Sequence, residues 1–133
     1  MARGFYSVIQ YVPNRFRAES VNIGLVLMRA EPHALRVRVT DKFDRARRLF
    51  RLNEGELKNL QVSALSFKNR IESNPHEFET AEDMAAFAAA RANDLRLTHP
   101  RLAVLQDIDA DFEQLFSQLV GELINSAELD TPP

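Results

Sequence analysis

A chain of 133 residues is long enough for one domain with a real hydrophobic core, and its 45% hydrophobic and 27% charged residues sit near globular averages, which argues against long disorder. With no cysteine, a disulfide scaffold, a thiol nucleophile and a thiolate metal site are all excluded. The net charge of −2 hides an asymmetry: residues 1–51 carry 11 Lys/Arg against 4 Asp/Glu, a net +7, whereas residues 52–133 carry 6 against 15, a net −9.

That division predicts one positive and one negative face, or two halves that attract each other. No apolar run approaches the roughly 18–20 residues of a membrane span. The N-terminus leads straight into a strand pattern without a leader-like apolar stretch, so a cytoplasmic protein of bacterial type is expected.

Residues 5–12 mix β-branched and aromatic residues with imperfect alternation and end at Pro13-Asn14, the pattern of a strand and a turn. After a polar link over 14–19, a second strand places Val21, Ile23, Leu25 and Leu27 on one face. Asn22, Gly24, Val26 and Met28 fall on the other. Asn and Gly are poor strand formers. Asn22 and Gly24 therefore need a reason: a bulge or close backbone approach, or a ligand or partner lying against that face. Pro32 marks a turn, and residues 35–40 alternate cleanly, with Leu35, Val37 and Val39 inward and Arg36 and Arg38 outward. The three strands form a meander with one strongly apolar face, and Asn22, Gly24, Arg36 and Arg38 share the opposite one.

Thr40 or Asp41 can cap a helix over about residues 42–51, burying Phe43, Ala46, Leu49 and Phe50 and presenting Lys42, Arg45, Arg47, Arg48 and Arg51. Asn53 with Glu56, and Thr80 with Asp83, have capping-box spacing and open helices that reach about Glu72 and Asn93. Residues 95–98, a turn at His99-Pro100 and residues 102–105 read as a short hairpin flanking the first sheet. The last helix starts near Asp109 or Asp111 and carries a wide stripe of Ile108, Phe112, Leu115, Phe116, Leu119, Val120, Leu123 and Ile124. Residues 126–133 read as a flexible tail. The order predicts a single α+β domain over residues 1–125: an antiparallel sheet, meander plus hairpin, with about four helices packed on one face.

Little in the chain carries recognisable chemistry. Asp107, Asp109 and Asp111 have the spacing that opens a calcium loop, but Phe112 stands where the loop requires Gly and Gln118 where it requires Glu. Acids at a helix start explain them without a metal. His33, His76 and His99 form no ligand pair, and Ser7, Ser63 and Ser66 sit in no nucleophile-elbow motif. Four glycines cannot build a phosphate-cradling loop. No catalytic residue, cofactor or metal is assigned. The Arg-rich set is the one binding patch, with Arg45 and Arg48 on one helix face and Arg47 and Arg51 on another. It suits a solvated helix face, a protein partner or, as the alternative, nucleic acid.

Two segments, Tyr6-Ser7-Val8-Ile9-Gln10-Tyr11-Val12-Pro13 and Glu19-Ser20-Val21-Asn22-Ile23-Gly24-Leu25-Val26-Leu27, resemble the signature of a small bacterial family, number 3037 in the domain-of-unknown-function series. The Leu97-Thr98-His99-Pro100 segment and the acidic start and apolar stripe of the last helix are also similar. The link Asn14-Arg15-Phe16-Arg17-Ala18 departs from the family, which tends to a shorter Asp-Pro-type turn. The resemblance implies no activity. Family members are often encoded beside kinases similar to the HipA toxin, which implies a partner role such as a regulatory or antitoxin-like module in a toxin–antitoxin or defence operon. The expectation is a non-enzymatic interaction protein with Asn22, Gly24, Arg36, Arg38, Arg45 and Arg48 as partner-binding residues. Homo-oligomerisation is left open, and no membrane partner is expected.

Overall fold

The computed structural model describes residues 2–13, 19–89 and 94–121. Its axis is β1 (Ala2–Tyr11), which lies between two antiparallel neighbours. On one side β2 (Val21–Arg29) pairs along its length, and β3 (Ala34–Val39) pairs outside β2. On the other side β4 (Leu95–Leu97) pairs with Ile9 to Tyr11, and β5 (Arg101–Leu105) pairs with Ala2 to Tyr6.

The α+β class is as expected, but β4 and β5 are not a hairpin. Both run antiparallel to β1 and therefore in the same direction, end to end, as one interrupted edge. The break has a local cause: Pro100 has no N–H to give to a ladder. Thr98 bridges the gap instead, its N–H donating to the Val8 carbonyl (2.9 Å) and its Oγ1 accepting from the Val8 N–H (2.8 Å).

The helices lie on both faces of the sheet, not on one. α1 (Asp44–Phe50), α2 (Glu54–Ser73), a 3-10 helix (Pro75–Phe78) and α3 (Ala81–Ala89) share a core with Ile9, Ile23, Val26 and Met28. α4 (Ile108–Leu119) closes the opposite face, packing Phe112 and Phe116 with Val8, Leu25 and Leu27. The reason is visible in β2. Every residue from 23 to 28 is buried, and a strand buried on both faces reads as a continuous apolar run.

Within that run the alternation breaks. Ile9 pairs with Gly24 but Gln10 pairs with Asn22, so Ile23 is the extra residue of a β-bulge. The bulge keeps Val21 and Ile23 on the three-helix face with Val26 and Met28, and sends Asn22, Leu25 and Leu27 toward α4. A strict period of two put Asn22 and Gly24 together. The bulge separates them: a Cβ on Gly24 would meet Ile9 Cδ1 and Val39 Cγ1, on the three-helix side.

Helix starts follow their sequence signals closely, with one exception. The capping boxes Asn53/Glu56 and Thr80/Asp83 are both formed. Asp107 caps α4, accepting from the Asp109 N–H, and Asp111 accepts from the N–H groups of Gln106 and Asp107. In α1 neither Thr40 nor Asp41 is the cap. Phe43 holds that position without a side-chain bond, because phenylalanine has no acceptor to offer, and its ring is buried instead, while Thr40 closes a turn just before it. The predicted end of α3 near Asn93, Leu123 and Ile124 of the α4 stripe, and the tail over 126–133 lie outside the described residues. Among the described residues no helix is long and apolar enough to cross a membrane.

Candidate functional site

The basic residues divide into two groups with different surroundings. Arg36 and Arg38 stand on the outward positions of β3, and α4 runs beside them and supplies their partners. Arg36 Nε donates to Asp109 Oδ1 at 2.7 Å. Arg38 holds Glu113 with both terminal guanidinium nitrogens and lies over the rings of Phe112 and Phe116, at 5.2 and 4.9 Å from their centroids. The hydrogen bond from Arg36 holds the Asp109 carboxyl below its ordinary range, and the bond from Arg38 does the same for Glu113. The basic first half of the chain is thus joined to its acidic second half along this seam.

Arg45 and Arg48 stand elsewhere, on a cleft that begins where β3 leaves the sheet. The β2–β3 ladder ends with Gly24 opposite Val39, and Thr40 N–H to Ile23 O (2.7 Å) is its last link. Thr40 Oγ1 accepts from the Lys42 N–H and donates to the Lys42 carbonyl, both at 3.0 Å, which turns the chain into α1. Burial of Phe43 and Ala46 then fixes the roll of the helix. Lys42, Arg45 and Arg48, spaced by three, line one side of a cavity of about 580 Å³.

The start of β2 and the end of α4 complete it. Asn22 Nδ2 donates to the Leu119 carbonyl (2.9 Å), and Asn22 Oδ1 accepts from Gln10 Nε2 (2.9 Å), whose Oε1 accepts from Arg96 Nε. Arg45 donates to the Val120 carbonyl. Gly121, at φ +77°, ends the helix in the left-handed conformation glycine tolerates, its N–H returning to the Phe116 carbonyl. The C-terminal carbonyls of α4, otherwise orphaned, are therefore held by a strand amide and a helix guanidinium.

Of the six residues singled out in the sequence, the structure brings Asn22, Arg45 and Arg48 together and sets Arg36 and Arg38 beside α4, paired with its acids. Gly24 faces the opposite core, where a Cβ would lie 2.8 Å from the Arg38 carbonyl. Close backbone approach beside a bulge accounts for it. Thr40 and Gly121 belong to the cleft and were not apparent as such. Their signal was modest: a hydroxyl two residues before a basic helix, and a glycine after an apolar stripe.

A second cavity, about 760 Å³, went unread in the sequence. It lies beyond Phe50 and is lined in part by Tyr11, Glu19, Arg51, Glu56 and Asp94. Burial, then the charges of Asp94 and Glu56, push the Tyr11 phenol up.

The remaining candidates have structural occupations. Ser7 is fully buried, and its Oγ has no hydrogen-bond partner, so no base stands ready to activate it. His33 Nε2 lies 3.0 Å from the Phe78 carbonyl, and His99 is exposed. The His76 side chain lies outside the described residues. Among the described residues no group of three or more His, Cys, Asp or Glu is placed to hold a metal ion. The family model described as "Protein of unknown function (DUF3037)" matches residues 6–120. No curated protein and no solved structure matches the chain.

Proposed function

The chain belongs to this family of proteins of unknown function, and from that premise we propose that it is a non-enzymatic protein-interaction module that engages a protein partner through the basic surface of α1. One observation carries the reading. Residues 42–51 hold Lys42, Arg45, Arg47, Arg48 and Arg51, all exposed, against the single carboxylate of Asp44. Arg36 and Arg38, by contrast, are paired with acids of α4. An arginine-rich face that forms no ion pair among the described residues, beside a cleft, supports recognition of a negatively charged surface. The partner class we propose is a HipA-like kinase, the one the family resemblance implies, and with it a regulatory, antitoxin-like role in the cytoplasm.

Co-expression of the tagged protein with a HipA-like kinase from the same genome tests this. A stoichiometric complex is expected, lost in Arg47→Glu/Arg48→Glu and retained in Arg101→Glu, which reverses an exposed charge on β5. No complex, or one indifferent to the α1 charges, refutes the reading. The same cations favour a second reading, nucleic-acid binding. That reading requires a mobility shift at about 50 mM salt that weakens steeply as salt rises, through counterion release. No shift at micromolar protein rejects it.

A further inference from the structure

The cavity of about 760 Å³ beyond Phe50 contains an unsatisfied group. Tyr11, the last residue of β1, puts its side chain on the three-helix face of the sheet, where its ring meets Phe50 edge-on at 5.4 Å. Only 7% of the residue is exposed, yet among the described residues its hydroxyl makes no hydrogen bond. The phenol nevertheless lies close enough to Glu56 and Asp94, which line the same cavity, for their charges to push it up. A buried hydroxyl that senses two carboxylates and bonds to neither is a place for a donor that all three can hold. Both carboxylates keep acceptor capacity. Glu56 Oε1 accepts from the Asn53 N–H in the capping box, which leaves Oε2. Asp94 gives its backbone carbonyl to the Val12 N–H, and its carboxylate has no partner among the described residues. Glu19 also lines the cavity but has an interaction of its own and is assigned no role.

We propose that this cavity binds a small organic amine, its ammonium held by the Tyr11 hydroxyl, Glu56 and Asp94 and its apolar body resting on Phe50, Leu52, Leu60 and Leu95. The head group is selected by charge and by number. A primary ammonium has three donors and no acceptor, against three acceptors in the site. An aromatic wall favours a cation as well. A carboxylate or phosphate would face two like charges. A metal ion is poorly served, since among the described residues no group of three or more His, Cys, Asp or Glu is placed to hold one. The body is selected by the buried leucines, which line the cavity with the Phe50 ring. The volume lies within the range of sites that enclose a small molecule. This site is independent of the interaction reading, because Lys42, Arg45 and Arg48 line the other cleft.

The test titrates the full chain, at neutral pH, with 3-phenylpropylamine and with hexylamine and follows the backbone amides by 1H–15N NMR. Saturable shifts are expected at Tyr11, Leu52, Leu60 and Leu95, with a dissociation constant on the order of 1 mM for ligands of this size. 3-Phenylpropanol keeps the body and loses the charge, and 3-phenylpropionate reverses it; each is expected to bind at least about tenfold more weakly. Tyr11→Phe keeps the ring and is expected to weaken amine binding about tenfold, the loss of a hydrogen bond to a charged group. Its melting temperature is expected not to fall, because the hydroxyl is unpaired without ligand. Asp94→Asn and Glu56→Gln are each expected to cost about fivefold, since both acids are exposed and partly screened. Glu56→Gln retains the capping box. Glu82→Gln removes an exposed carboxylate of α3 outside the cavity and is expected to leave binding within about twofold.

Absence of a saturable shift with either amine up to about 20 mM overturns the proposal, because ordinary ligand efficiency predicts binding well below that concentration. Equal binding of the alcohol overturns it too, since the apolar body then suffices. So does a loss in Glu82→Gln as large as in Asp94→Asn, which would make the attraction one of net charge, or unchanged binding in Tyr11→Phe, which would leave the buried hydroxyl without a part. A lysine side chain of another protein carries the same head group. Nα-acetyl-lysine N-methylamide stands for it in a parallel titration, and tighter binding of that compound than of 3-phenylpropylamine overturns the assignment to a free amine.

Discussion

Gly24→Ala isolates the tightest point of the sheet. A Cβ there would lie 2.8 Å from the Arg38 carbonyl oxygen, 2.9 Å from Ile9 Cδ1 and 3.0 Å from Val39 Cγ1. The three contacts differ in kind. Ile9 Cδ1 is the end of a side chain and can rotate, but the Arg38 oxygen belongs to the β2–β3 ladder and moves only with the strand. Overpacking of this sort costs about 1–3 kcal/mol, and alanine returns about 0.5–1 kcal/mol through the reduced entropy of the unfolded chain. A net loss of about 1–2 kcal/mol follows, which for a domain of this size lowers the melting temperature by roughly 3–8 °C.

Urea unfolding followed by circular dichroism measures it, with Gly55→Ala as the control. A Cβ on Gly55 meets nothing closer than Asn53 Oδ1 at 3.5 Å, and the residue lies in the first turn of α2, so alanine is expected to stabilise by up to about 1 kcal/mol. Ile9→Val, which removes Cδ1, is expected to cost less in the Gly24→Ala background than alone, because it relieves one of the three clashes. A Gly24→Ala protein as stable as the parent refutes the reasoning, and full rescue by Ile9→Val refutes the part assigned to the backbone.

Three further predictions rest on separate features. Ser7→Ala removes a fully buried hydroxyl with no hydrogen-bond partner, so the melting temperature is expected to rise, by an amount corresponding to about 1 kcal/mol; a fall would show that the hydroxyl is satisfied. Arg51 ends α1 at φ 54°, a left-handed conformation costly for any residue with a Cβ, and Arg51→Gly is expected to gain about 1 kcal/mol in urea unfolding. Asp109 and Glu113 are both held below their ordinary ranges by Arg36 and Arg38. Their folded pKa values lie under the unfolded ones, so the stabilisation is present at neutral pH and is lost as pH falls through the ordinary carboxylate range and below. Both acids are exposed, so the effect is small. The urea midpoint of Arg36→Met/Arg38→Met is expected to fall less than that of the parent between pH 7 and pH 3, and an identical fall removes the two pairs from the account.

Local signals in the sequence were sound, and most failures came from strand β2. The Asn53/Glu56 and Thr80/Asp83 boxes depend on neighbours three residues apart, so spacing alone located them. The apolar stripe of the last helix likewise announced a helix, though not which side of the sheet it would cover. That depended on recognising residues 23–28 as a strand buried on both faces, whereas a period of two was imposed on them. A bulge is one added residue with no compositional mark beyond the Asn and Gly already noticed, and it inverts every assignment upstream of it. The candidate site suffered accordingly: Arg45 and Arg48 were legible from helical spacing, Asn22 joined them through a tertiary bond to Leu119, and Arg36 and Arg38 were claimed by a helix some 70 residues away. The later hairpin failed for a different reason: adjacency in sequence suggested pairing between two segments that both pair with β1.

The placement of β4 and β5 on β1 bears on how the chain is made. β1 leaves the ribosome before the other strands, and β2 can pair with it early, but its second edge is completed by residues up to 90 positions later, as Thr98 reaches Val8. At about 5–20 residues per second, synthesis leaves that edge waiting for roughly 5–20 s. During that interval a strand that is interior in the finished sheet is an outer one, with one edge unpaired. The sheet therefore closes only once residues 95–105 have been made, and the seam between Arg36, Arg38 and α4 forms after it. Loss of the last third of the chain removes more than a helix: it returns the middle of the sheet to an edge.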